Sequence, residues 1–131
     1  MKTATQLSVF LKNEPGVLAS ICNALSERKI NILGMSVSDA IDHAVLRLVV
    51  NKPEQTAHLL GDRGMLVLDT QVLQLSLANN PGTLGKVARK LAKAKVNIDY
   101  AYAASGPGVS RQTIFLKVSD PRKAARVLKG S

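Results

Sequence analysis

Apolar and polar side chains alternate from Gln6 to Lys12, with Leu7, Val9 and Leu11 on one face, and this two-residue period predicts a strand. Pro15-Gly16 breaks it. Past that point Leu18, Ile21, Cys22 and Leu25 fall at i, i+3, i+4 and i+7, so residues 17–29 read as an amphipathic helix whose first turn accepts a proline. The strand period returns over Asn31–Ser38 and Ala44–Val50, joined by a polar turn from Asp39 to His43. Pro53 opens a second helix through Leu60, stopped near Gly61 and Gly64, and Met65–Leu68 reads as a fourth strand. The series then starts again. Val72–Leu77 is a strand, and residues 82–95 are a helix with Leu84, Val87, Ala88 and Leu91 inward. Asn97–Ala103 and Gln112–Val118 are strands, and Asp120 caps a helix that begins at Pro121 and turns Ala124, Ala125 and Leu128 inward.

The second series is a copy of the first at an offset of 66 residues. Asn13-Glu14-Pro15-Gly16-Val17-Leu18 returns as Asn79-Asn80-Pro81-Gly82-Thr83-Leu84, and Lys29-Ile30-Asn31-Ile32 returns as Lys95-Val96-Asn97-Ile98. After a longer hairpin loop at Ser105-Gly106-Pro107-Gly108 the offset becomes 68, so that Lys52-Pro53-Glu54 matches Asp120-Pro121-Arg122. Strand, helix, strand, strand, helix, strand with right-handed crossovers closes most simply as a ferredoxin-like sandwich, two helices on one face of a four-stranded antiparallel sheet. The expected fold is therefore α+β, two tandem ferredoxin-like βαββαβ units over residues 1–70 and 71–131. The second lacks its last strand, which leaves a sheet edge for the first unit or another chain to cover. One sheet face in each unit is expected to stay open.

Composition narrows the classes. The 131 residues are 46% hydrophobic and 21% charged, as in an ordinary globular chain. No apolar run reaches about 18 residues, and the first residues lack a signal-peptide stretch, so the cytoplasm is the expected location. A single cysteine, Cys22, excludes an internal disulfide, and with only His43 and His58 beside it no metal site or cofactor is expected. The net charge of +9 is lopsided: residues 1–66 hold 7 basic and 6 acidic side chains, residues 67–131 hold 11 and 3. Lys86, Arg89, Lys90 and Lys93 form a basic stripe opposite the apolar one. It reads first as a solvated helix face, and second as a dock for an acidic protein or phosphate backbone.

No Ser-His-Asp, Cys-His or paired-carboxylate pattern and no phosphate loop is present, so no catalytic site is read and the protein is expected not to be an enzyme. Cys22 reads as a small core residue, and His43, near Asp39 and Asp42, as part of a polar turn. Tyr100 and Tyr102 with Phe115 read as cover for the sheet face at a domain or dimer contact. Base stacking is disfavoured because the chain has four aromatics and no RNA-recognition run, so nucleic acid is the weakest partner.

The two Pro-Gly loops are the candidate chemistry. A free amino acid needs donors for its carboxylate and acceptors for its ammonium. A helix start offers unpaired N–H groups and a partial positive charge. Gly16 and Gly82 clear the approach, Asn13, Asn79 and Asn80 add amides, and Leu18 and Leu84 add apolar contact. The strand starts Asn31-Ile32 and Asn97-Ile98 complete the cradle. Glu14 stands where the second loop has Asn80, which makes the second loop the better carboxylate site.

Asn-x-Pro-Gly-x-Leu followed by a helix and an Asn-Ile strand resembles the ACT domain. With both units matching, and Asn97-Ile98-Asp99-Tyr100-Ala101-Tyr102 on the second, the chain is similar to stand-alone tandem ACT proteins. The resemblance implies a non-catalytic, amino-acid-binding regulatory protein, a homodimer, with a metabolic enzyme as a possible partner. It also implies a ligand held between paired units by Asn13, Pro15, Gly16, Val17, Leu18, Asn31 and Ile32, and by Asn79, Asn80, Pro81, Gly82, Thr83, Leu84, Asn97 and Ile98. The alternatives are a regulatory subunit that docks on an enzyme with empty loops and, less favoured, a basic nucleic-acid-binding protein.

Overall fold

The computed structural model describes residues 1–129. They form two compact units: Thr5–Thr70, and the residues from Gln71 onward together with Met1–Ala4.

The first unit takes β1 (Lys2–Lys12) from Thr5, α1 (Val17–Glu27), β2 (Ile32–Asp39), β3 (His43–Val50), α2 (Pro53–Asp62) and the opening of β4 (Leu66–Ala78). The strand order is β2-β3-β1-β4. β1 and β2 both pair antiparallel with β3, Leu7 opposite Leu48 and Val9 opposite Leu46. Those four residues and Val50 meet Ile21 and Leu25 of α1 and Leu60 of α2 in one core. Cys22 is half-buried and is not one of the residues of that core.

α1 ends without a glycine. The N–H of Lys29 bonds the Ser26 carbonyl (3.0 Å), that of Ile30 bonds the Leu25 carbonyl (2.9 Å), and Lys29 takes a left-handed φ of 56°. This is a Schellman stop, with the buried Ile30 and Leu25 as its apolar contact. α2 ends the same way through Gly64, at φ 82°.

The second unit takes the rest of β4, then α3 (Thr83–Lys93), β5 (Ile98–Ala104), β6 (Arg111–Val118) and α4 (Pro121–Val127). Its strand order is β1-β4-β6-β5, so Met1–Ala4 belong to the edge for which this half of the chain has no fourth strand. Leu73, Leu75 and Leu77 of β4, with Ile114, Leu116 and Val118 of β6, pack against Val87 and Leu91 of α3 and Ala124 and Leu128 at α4. Asp120 caps α4 as expected, its carboxylate accepting the Lys123 N–H at 3.0 Å. Leu84 is 40% exposed instead of inward, because the inward stripe of α3 begins at Val87. α3 stops as α1 does, with Lys95 at φ 61° and Val96 N–H on the Leu91 carbonyl.

Two boundaries differ from the expected ones. The strands expected at Met65–Leu68 and Val72–Leu77 are one 13-residue strand, since Asp69-Thr70-Gln71 is polar but holds no glycine or proline to break it. β1 begins at Lys2 rather than Gln6. The sheet faces away from the helices are not bare: Gln6, Val49, Val72 and Phe115 are all buried there. Tyr102 stacks on Phe115, its partner across β5 and β6, with ring centroids 5.2 Å apart. Among the described residues no helix is long and apolar enough to cross a membrane.

Candidate functional site

Both loops fold as the repeat demands. After β1, the Glu14 N–H bonds the Lys12 carbonyl and the Val17 N–H the Glu14 carbonyl; after β4, the Asn80 N–H bonds Ala78 and the Thr83 N–H bonds Asn80. Gly16 and Gly82 are the helix N-caps, at φ 89° and 88°, with no side chain capping either helix. The first intrahelical bonds run from Ser20 to Gly16 and from Lys86 to Gly82. The N–H groups of Gly16, Leu18 and Ala19, and of Gly82, Leu84 and Gly85, have no acceptor among the described residues. These are the outward-pointing donors of a helix start.

A Cβ on Gly16 or Gly82 would meet no protein atom within 4 Å, so the space over each loop is open. Each glycine is required by its left-handed φ, which costs a residue with a Cβ about 1–2 kcal/mol.

Within one unit the structure does not bring the strand starts to the loops. Asn31 and Asn97 lie past the far ends of α1 and α3, and 11 helical residues rise about 16 Å. Their backbones are also engaged. The Asn31 N–H donates to Asn51 Oδ1 (2.9 Å) while its carbonyl accepts from the Asn51 N–H; Asn97 does the same with the Ser119 hydroxyl and N–H. The Lys-Ile-Asn-Ile and Lys-Val-Asn-Ile runs are therefore first of all helix stops that lead into strands. A cleft of about 400 Å³ opens at the far end of α1, lined by Cys22, Leu25, Ser26, Lys29, Ile30, Asn31 and Ile32.

The loops themselves are unequal. The Asn79 amide donates to the Val109 carbonyl at 2.8 Å and to the Gly106 carbonyl at 3.4 Å, and its N–H to Ser110 at 2.9 Å, tying the loop between β5 and β6 to the helix start. Among the described residues Asn13 has no such engagement. Beside the first loop a cleft of about 300 Å³ is walled by Phe10, Leu11, Val17 and Met65, with Lys12, Arg63 and Gly64 completing its lining. Arg63 also donates to the Ser20 hydroxyl on α1 at 3.3 Å. The corresponding cleft beside the second loop, against Leu77, Thr83, Lys86, Val87 and Lys90, holds about 160 Å³. Neither Arg63 nor the Phe10 and Met65 walls were legible as site residues, because β1 and the end of α2 are 50 residues apart in sequence.

Elsewhere, Asn97 Nδ2 and Lys117 Nζ hydrogen-bond the two oxygens of Asp99, at 3.0 and 3.2 Å. These bonds, the Asn97 one foremost, hold the Asp99 carboxyl below the usual aspartate range. The His43 ring does the same for Asp42 at 3.1 Å. Among the described residues no three His, Cys, Asp or Glu side chains gather as a metal would need.

The sequence profile of ACT domain pairs matches residues 2–128. Protein BT0572 from Bacteroides thetaiotaomicron is 31% identical, with a TM-score of 0.90 over 97% of this chain and 87% of that one. The ligand-free regulatory subunit of aspartate kinase from Thermus thermophilus superposes at TM-score 0.70 with 14% identity, over 97% of this chain and 95% of that one. The structure of aspartokinase alpha and beta subunits superposes at 0.63 with 18% identity, over 98% and 95%. No protein of curated function matches.

Proposed function

The chain belongs to the family of ACT domain pairs, and we propose that it is a non-catalytic sensor whose effector is a free amino acid held at a Pro-Gly helix start. The ACT domain pair is a regulatory module. The observation that carries the amino-acid reading is the first loop: three backbone N–H groups without an internal acceptor open beside an apolar cleft of about 300 Å³ with Lys12 and Arg63 in its lining. A carboxylate fits the N–H groups and the positive end of α1, while an aliphatic or aromatic side chain fits between Phe10, Leu11, Val17 and Met65. Glu14, next to the loop, suits the ammonium.

The first loop stands ahead of the second because Asn79 already serves its own loop and the second cleft is about half the size. Asn31 and Asn97, remote from the loops of their own units, enter the site if the working form is a homodimer in which a second copy presents its strand start. A ligand shared in that way biases one packing over another by its differential affinity, a coupling of about 1–3 kcal/mol. The likeness to an aspartate kinase regulatory subunit supports an amino-acid-forming enzyme as the partner that reads the change.

A melting-temperature screen against the twenty amino acids tests this. An effector at about 100 times its Kd stabilises by about 2.7 kcal/mol and raises Tm by several degrees. Arg63→Ala should weaken that response with little change in the melt of the free protein. No shift from any amino acid at millimolar concentration would refute the reading.

A further inference from the structure

The sequence groups four cations along one helix; the second unit gathers more than twice that number on one layer. α3 and α4 lie on the same face of their sheet, because Val87 and Leu91 share a single core with Ala124 and Leu128. α3 and its stop present Lys86, Arg89, Lys90, Lys93 and Lys95, all exposed. α4 and its stop present Arg122, Arg126 and Lys129, exposed, and Lys123, half-buried. Facing these nine cations, this layer has, among the described residues, one carboxylate, Asp120, whose Oδ1 accepts the Lys123 N–H. From residue 71 onward the other acid is Asp99 on β5, which holds Lys117. Among the described residues, neither Lys86, Arg89 and Lys93 nor Arg122 and Arg126 form an ion pair. The helices of the first unit mix signs instead, with Glu27 beside Arg28 and Asp62 beside Arg63.

We propose that the α3–α4 layer is a docking surface for the phosphate backbone of duplex nucleic acid. Composition separates this partner from the others. Six of the nine cations are lysine, a residue depleted from protein interfaces, which concentrate their energy in aromatics, Met and Arg. Neither helix carries an aromatic, and Leu84 is the one large exposed apolar side chain on them. A protein partner would find no aromatic or methionine anchor, only three arginines, and a membrane surface almost nothing to insert. A phosphate backbone needs only cations.

Spacing agrees. Lys86 to Lys93 spans about 10 Å at 1.5 Å per residue. Packed helices lie about 8–10 Å apart, which sets two cation rows at nearly the roughly 12 Å of a duplex major groove. Contacts to phosphate oxygens carry no sequence information, so binding through them is independent of sequence.

The test is fluorescence anisotropy of the full chain with a labelled DNA duplex about 20 base pairs long, between about 50 and about 200 mM salt. Neutralising about five phosphates predicts a slope of log K against log salt near −4.5, a loss of roughly 500-fold over that range. The triple variant Lys86→Glu, Arg89→Glu, Lys93→Glu should bind at least about 10-fold more weakly at low salt and flatten the slope by about three. Arg28→Glu in the first unit should bind as the parent does. Circular dichroism melts confirm that each variant folds; if the triple variant does not, Arg122→Glu with Arg126→Glu makes the same test on α4. The proposal is overturned if the duplex fails to bind at low salt, or if a folded layer variant binds as well as the parent. It is also overturned if anionic lipid vesicles or an acidic polypeptide bind as tightly as the duplex.

Discussion

Lys95 ends α3 in a conformation that lysine disfavours, so replacing it should strengthen the protein. At φ 61° its Cβ crowds the following carbonyl, at about 1–2 kcal/mol. Lys95→Gly relieves that strain, but the freer unfolded chain takes back about 0.5–1 kcal/mol. The helix-stop bonds from the Lys95 and Val96 N–H groups are backbone bonds and survive the change. The net gain is about 0.5–1 kcal/mol, or roughly 2–4 °C in Tm for a chain of this size.

A second contribution must be separated, because the change also removes one positive charge from a crowded basic layer. Lys95→Ala removes the same charge and keeps the Cβ. Thermal melts of the three proteins at two salt concentrations therefore resolve the two effects. The conformational part is the difference between glycine and alanine and is insensitive to salt; the electrostatic part is the difference between alanine and lysine and shrinks as salt screens it. Lys29→Gly, in the same place on α1, should match the glycine–alanine difference without a comparable salt-dependent part. A glycine variant that melts no higher than its alanine counterpart would refute the reasoning.

Other consequences are as direct. Gly82→Ala places a Cβ in open space but in a left-handed backbone, so it should lower stability by about 1 kcal/mol in urea titrations without a steric clash. Asn79→Ala removes two hydrogen bonds from the loop between β5 and β6, and should cost about 1–2 kcal/mol and speed amide exchange over Ser105–Ser110. The Asp99 carboxyl is depressed in the folded state, so its contribution is present above the unfolded value of about 3.9 and is lost as pH falls through the lower folded value. Asp99→Asn should therefore bring the parent and variant melts together in acid and leave them apart at neutral pH.

Much of the architecture was legible because two hydrophobic periods alternate in a fixed order and then repeat. What was missed has local causes. Lys2-Thr3-Ala4-Thr5 carries no apolar alternation, so the start of β1 is invisible to a pattern that looks for a buried face. Asp69-Thr70-Gln71 interrupts the apolar pattern between Leu68 and Val72, although nothing in it stops an extended chain.

At the site, the loops were legible from Pro-Gly and the duplication, but their inequality was not. Asn79 acquires its role from carbonyls 27 and 30 residues away, and Arg63 reaches the first loop across 43 residues to Ser20. The separation of Asn31 from Gly16 could have been found, since it follows from the helix length alone. So could the lysine helix stops: a charged residue followed by a buried Ile or Val, straight after a helix with no glycine, leaves few other ways to end one.

That Met1–Ala4 belong to the later half of the chain has a consequence for its birth on the ribosome. Synthesis delivers these four residues before the neighbours they cluster with, which emerge only after Thr70, so they must wait, unclaimed, while the earlier unit folds. Severing the chain between Thr70 and Gln71 would not yield two self-sufficient halves, because the downstream piece would leave its own border strand attached to the upstream one.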